Sequence, residues 1–283
     1  MILNLDPSFT PLQHSGLQTI TYESFQFSDG TYHIKIDDVA NLPTEETVNI
    51  TFRGKEIMKV LIAVDALKRI GFKKISLVYP FFLGARQDRV MVKGEALTAK
   101  VYATLINSMQ LEEVTLFDPH SEVSPALLDR CSVIDNFQFI KKVIETIKDE
   151  VVLISPDGGA LKKIYKLSEK LGGIEVIECS KSRDVKTGKL SGFKVYADDL
   201  SGKNCLIVDD ICDGGGTFIG LSKELKKKNA HKQYLAVSHG IFSKGTEVLT
   251  EQFEKVFTTD SVKDFETNDQ FIQLKLEDGL LVI

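Results

Sequence analysis

The sequence predicts an α/β protein of two similar domains, each a mostly parallel sheet flanked by helices. Three observations carry that expectation. Short apolar runs such as Ile75-Ser76-Leu77-Val78 and Cys205-Leu206-Ile207-Val208 read as strands buried on both faces. Segments of helical spacing lie between such runs, and strands alternating with helices imply parallel pairing. The same rhythm occurs twice along 283 residues, a length that suits two domains better than one. We place the boundary near Asn136, with domains over 1–136 and 137–283.

Taken in order, residues 1 to about 24 are weakly patterned. Pro7, Pro11 and Gly16 break them up, and they predict no more than an edge strand. Asp29-Gly30 is a hairpin-type turn between two alternating runs, Phe25 to Ser28 and Thr31 to Ile36. Val48 to Phe52 reads as a strand. Ile57, Val60, Leu61, Val64 and Leu67 have a helical period within 56–70. The strand 75–81 runs into the polar, cationic loop Leu83-Gly84-Ala85-Arg86-Gln87-Asp88-Arg89. A helix over 98–109 leads to the strand Val114 to Phe117, which ends at Asp118-Pro119-His120-Ser121. The second half then begins with a helix over 139–147 and a strand over 151–154. Ser155-Pro156-Asp157-Gly158-Gly159 opens a helix that Gly172-Gly173 stops. A strand over 174–177 leads to Lys181 and Arg183, and 186–192 is turn-rich and charged, the composition of a mobile hairpin or loop. Strands follow at 205–208, 234–237 and 256–258, with a helix through Phe218, Leu221 and Leu225 after the first of them.

Composition narrows the function. The apolar share of 43% is ordinary for a globular chain, and a net charge of −5 with mixed signs offers no basic face for nucleic acid. No apolar stretch approaches the ~18 residues of a membrane span. The stretch 1–6 lacks the basic start and long apolar core of a secretory signal. Cys131, Cys179, Cys205 and Cys212 form no C-x-x-C pair and sit mostly in apolar runs, which favours reduced thiols in a cytosol-like compartment. Neither nucleic acid nor membrane is an expected partner. There is no G-x-x-x-x-G-K-[ST] stretch, so a P-loop is not expected to hold nucleotide.

The chemistry centres on Val208-Asp209-Asp210-Ile211-Cys212-Asp213-Gly214-Gly215-Gly216-Thr217. Ligands of open α/β sheets bind outside the carboxyl ends of strands. Glycines let a backbone turn tightly, and the helix start that follows adds positive dipole, so 213–217 offers an anion cradle. Asp209 and Asp210 can accept hydrogen bonds from sugar hydroxyls. Phosphate beside polyol points to a phosphorylated sugar.

This stretch resembles the signature shared by phosphoribosyltransferases and ribose-phosphate diphosphokinases, with Gly214 where Thr is usual. Four further stretches resemble motifs of the diphosphokinases and occur in that family's order: Phe27-Ser28-Asp29-Gly30, Ala85-Arg86-Gln87-Asp88-Arg89, Asp118-Pro119-His120 and Ser155-Pro156-Asp157-Gly158-Gly159. The resemblance covers the chain from about Phe25 onward. It implies two phosphoribosyltransferase-like domains and transfer of the diphosphoryl group of ATP to the anomeric hydroxyl of ribose 5-phosphate. It further implies ATP contacts at Phe27, Asp29, Arg86 and Gln87, and magnesium (Mg2+) ligation by His120 and Asp157. Ribose hydroxyls fall on Asp209 and Asp210, the 5-phosphate on Asp213, Gly214, Gly215, Gly216 and Thr217, and the catalytic cations are Lys181 and Arg183. A homo-oligomer, dimer or hexamer, is implied as well. Two alternatives stay open at this point: a phosphoribosyltransferase that consumes phosphoribosyl diphosphate, and an inactive homologue that regulates a synthetase.

Overall fold

A computed structural model describes residues 1–183 and 190–281, with side chains for those outside 182–191. Two compact units emerge. One is Met1–Asp135 joined by the later segment 276–281, and the other is Asn136–Lys275.

The first unit holds β1 (Ile2–Asn4), β2 (Tyr22–Gln26), β3 (Tyr32–Ile36), β4 (Val48–Thr51), α1 (Met58–Ile70), β5 (Ile75–Val78), α2 (Thr98–Ser108), β6 (Glu113–Phe117), α3 (Val123–Leu127) and β7 (Cys131–Ile134). Its five-stranded sheet runs β1-β4-β5-β6-β7, parallel throughout. The expected edge strand is β1, paired with β4. β2 and β3 form the expected antiparallel hairpin, turned at Asp29-Gly30, and β3 lies against α1. α1 forms because Val60, Ala63, Val64 and Leu67 recur on one face; all four are buried. It ends at Gly71, whose φ of 117° lets its N–H turn back to the Leu67 carbonyl.

The second unit holds α4 (Phe137–Ile147), β8 (Val151–Ser155), α5 (Leu161–Lys170), β9 (Val176–Arg183), β10 (Leu190–Val195), β11 (Asn204–Cys212), α6 (Gly216–Lys227), β12 (Gln233–Gly240), α7 (Glu247–Thr250), β13 (Lys255–Thr259) and β14 (Phe271–Leu274). The seven-stranded sheet runs β10-β9-β8-β11-β12-β13-β14, and only β10 is antiparallel to its neighbour. Leu206, Ile207, Leu235, Ala236, Val256 and Phe257 are fully withdrawn from water, as strands covered on both faces require. From β8 the chain moves outward to β9 and β10. It then returns to the opposite side of β8 as β11 and continues to β14. Strand order therefore reverses at β8 and β11, which leaves a crevice outside their carboxyl ends.

Several elements differ from expectation. β9 and β11 run past their apolar cores, because hydrogen bonding to neighbours continues through polar residues: β11 stays paired with β12 through Asp209, Ile211 and Cys212. α3, β7, α7 and β14 are four or five residues each and carry too few residues for a period to show. The turn-rich stretch 186–192 is partly strand β10 from Leu190 onward, and the rest lies outside the described residues. No helix among the described residues is long and apolar enough to cross a membrane.

Candidate active site

The second unit gathers its chemistry at the β8–β11 crevice. Asp157 follows β8, in the turn that enters α5. Its Oδ1 accepts backbone N–H bonds from Gly159 (2.9 Å) and Ala160 (3.1 Å). Its Oδ2 lies 2.7 Å from Lys181 Nζ, near the end of the adjacent strand β9. The pair is mostly shielded, with side chains 28% and 19% exposed, so the attraction is weakly screened. Burial works to raise the Asp157 carboxyl, but Lys181 and the two N–H groups outweigh it and hold it below the usual carboxylate range. Two sequence-predicted residues of different roles thus share one ion pair. Arg183 ends β9, and its side chain lies outside the described residues.

Asp209 and Asp210 stand on β11 itself, rather than past its end, because the strand continues to Cys212. The Asp210 N–H donates to Asp209 Oδ1 at 2.9 Å. Withdrawal from water, and then the charge of Asp210, push the Asp209 carboxyl well above its usual range, with Asp157 adding to the repulsion. The Asp209 carboxyl therefore favours holding a proton over standing bare, whereas Asp157 across the crevice stays ionised.

The turn 213–217 joins β11 to α6. Gly215 has φ 75°, and a Cβ there would meet Leu249 Cδ2 at 2.9 Å, so glycine is required twice over. The loop after β12 clasps this turn. The N–H groups of Ile241 and Phe242 donate to the Cys212 carbonyl, and that of Ser243 to the Asp213 carbonyl. The Ser243 hydroxyl donates to Asp213 Oδ1 at 2.7 Å. Phe242 anchors the loop, its buried ring edge-on to Phe265 and Phe271 at 5.2 and 5.4 Å. Ser243 and Lys244 were not singled out in the sequence. The signal was present, since they occupy a polar loop after the strand 234–237, neighbour to β11.

The first unit places its candidates at two locations. Arg86 and Gln87 follow β5, and His120 follows β6, the adjacent strand; all three are exposed. Asp88 links the two loops. Its buried carboxylate pairs with Arg89 at 2.9 Å and is held below its usual range by Arg89, Ser121 and His120. Ser121 was likewise missed as an organiser of this edge. The other location is the hairpin. Phe27 is 51% exposed and meets Phe25 and His33 at 4.8 and 6.0 Å. Asp29 Oδ1 accepts from the N–H and hydroxyl of Thr31, so one of its oxygens shapes the turn and the other faces solvent. Among the described residues, no group of three or more His, Cys, Asp or Glu side chains gathers as a metal site.

The profile of the N-terminal domain of ribose phosphate pyrophosphokinase matches residues 12–109, and that of the phosphoribosyl transferase domain matches 130–275. The ribose-phosphate pyrophosphokinase of Mycoplasmopsis pulmonis is 32% identical over 79% of this chain and 70% of its own length. That of Thermococcus kodakarensis is 30% identical over 83% and 82%. A crystal structure of phosphoribosylpyrophosphate synthetase from Mycobacterium smegmatis superposes with a TM-score of 0.83 at 22% identity, over 99% of this chain and 95% of the other. That likeness extends to the whole fold.

Proposed function

This chain belongs to the ribose-phosphate pyrophosphokinase family, and from that premise we propose how its own residues divide the reaction. The enzyme transfers the diphosphoryl group of ATP to the anomeric hydroxyl of ribose 5-phosphate, giving phosphoribosyl diphosphate and AMP. The observation that carries the division of labour is the Lys181–Asp157 pair beside Asp209 and Asp210 at the strand-order reversal.

Asp209 and Asp210 accept the ribose hydroxyls and fix the sugar, and the N–H groups of 214–217 receive its 5-phosphate. The anomeric hydroxyl gives up its proton to solvent as its oxygen bonds to the β-phosphorus and the bond from that phosphorus to the α–β bridging oxygen breaks, and AMP leaves with the bridging oxygen. Negative charge grows on the transferring group, so catalysis is positioning plus cations aimed at that charge. Lys181 is the ammonium at hand, held by Asp157 until phosphate oxygens compete for it; Arg183 has the second such role. ATP falls to Arg86 and Gln87, with Phe27 offering a half-exposed ring for a base and Asp29 a hydrogen-bond acceptor. His120 of the first unit and Asp157 of the second would each offer Mg2+ one protein ligand. Magnesium takes few protein ligands and keeps waters and phosphate oxygens. Bound there, it would neutralise phosphate charge.

The four cysteines are all unpaired, which supports a reducing cytoplasm. An assembly of identical subunits is part of the same proposal. The deciding experiment incubates purified protein with ATP, Mg2+ and ribose 5-phosphate and follows phosphorus NMR. AMP and phosphoribosyl diphosphate in equal amounts are expected. ADP or free pyrophosphate as the main product would overturn the reading.

A further inference from the structure

Resting on the reading of 213–217 as the sugar-phosphate turn, we propose that Lys244 supplies the ammonium that receives the 5-phosphate. The turn itself carries no cation: it consists of Asp213, three glycines and Thr217. A phosphate dianion placed there meets backbone N–H groups, one hydroxyl and the roughly half-charge of a helix start, but also the carboxylate of Asp213 and the charge of Asp210 on the strand before it. The charge balance calls for a cation from another element.

Lys244 is in the position to supply it. Its Cδ and Cε each lie 3.4 Å from where a Cβ on Gly214 would sit, and its Cγ lies at 3.6 Å, so the stem runs across the bare face of that glycine. Thr is the residue the signature leads one to expect at 214, and here the lysine stem borders the space its side chain would enter. The backbone leading into the lysine is held by the two residues before it. Ser243 is bonded to Asp213 through main chain and side chain, and Phe242 is locked among Phe265 and Phe271. Asp213 is thereby turned toward the Ser243 hydroxyl, which tempers its repulsion of an incoming anion. Lys244 is exposed, and no ion pair joins its ammonium to a described residue. A compact ammonium on a positioned stem is suited to phosphate oxygens.

The test uses Lys244→Met, which keeps the apolar stem and removes the charge, alongside Lys244→Arg and Thr217→Val in the full chain. Steady-state kinetics with ATP and ribose 5-phosphate are read together with calorimetric binding of ribose 5-phosphate. Lys244→Met should raise KM and Kd for ribose 5-phosphate about 10- to 100-fold, the range of a lost charge-assisted hydrogen bond. KM for ATP should stay within about twofold, and Lys244→Arg should recover part of the loss. Unchanged ribose 5-phosphate binding in Lys244→Met, while Thr217→Val weakens it, would overturn the role of Lys244 and leave the turn as the phosphate site. Unchanged binding in both variants would overturn the reading of the turn itself. An equal loss in Lys244→Arg, or an equal rise in KM for ATP, would mark the lysine as structural and overturn the proposal.

Discussion

At the scale of single residues, two carboxylates of one crevice are driven in opposite directions. Asp157 is held ionised by Lys181, whereas Asp209 is pressed toward its neutral form by burial and by Asp210. Lys181→Ala should lower kcat about 10²- to 10³-fold, the usual loss for one preorganised charge-stabilising group, with the fold intact by circular dichroism. It should also lower Tm at pH 7. The folded carboxyl of Asp157 is depressed, so the pair stabilises above the unfolded value of about 4 and loses its effect as pH falls through the depressed range. The Tm gap between variant and parent should therefore close on acidification below about pH 4. Asp209 has the reverse sign. Its folded carboxyl is raised, so its contribution is best below about pH 4 and turns unfavourable as pH rises toward neutrality. Asp209→Asn should raise Tm at pH 7 by roughly 2–4 °C, the shift that about 1 kcal/mol gives a domain of this size, while KM for ribose 5-phosphate rises. A fall in Tm would contradict that assignment. Both acids were legible in the sequence as site candidates. Their opposed protonation was not, because it depends on Lys181 arriving beside Asp157 from another strand and on the burial of Asp209.

At the scale of elements, the turn 213–217 is shaped by what packs behind it. Gly215 needs a left-handed φ and also leaves room for Leu249 of α7. Gly215→Ala should cost about 1–2 kcal/mol for the backbone alone, plus the displacement of Leu249. Chemical denaturation should show a lowered midpoint with an unchanged slope. The sequence announced this turn through its glycines and announced the longer helices through their period. It did not announce α7, because four residues carry no period, nor the clasp of the 240–245 loop, because a backbone N–H bonded to a carbonyl 30 residues away leaves no trace in side-chain type. The extension of β11 through two aspartates ran against strand propensity; pairing with β12 prevails there.

At the scale of the whole molecule, the alternation of strands and helices made two α/β units readable, and relatives and fold agree with it. The return of 276–281 to the first unit was not readable, since the segment is too short to identify its partner from pattern alone. Leu276 and Leu280 are fully buried there, and Thr10 donates to Glu277 at 2.9 Å. Leu280→Ala should cost about 2–5 kcal/mol and should appear, by hydrogen exchange followed with mass spectrometry, as faster exchange of β1 and β4 than of β11 and β12. Uniform acceleration across both units would speak against the division. The same discontinuity has a meaning during synthesis. The unit whose strands leave the ribosome earliest still lacks a piece of its core until everything through Lys275 has been translated. Its core is therefore completed by the residues made last, not by those that follow its own strands.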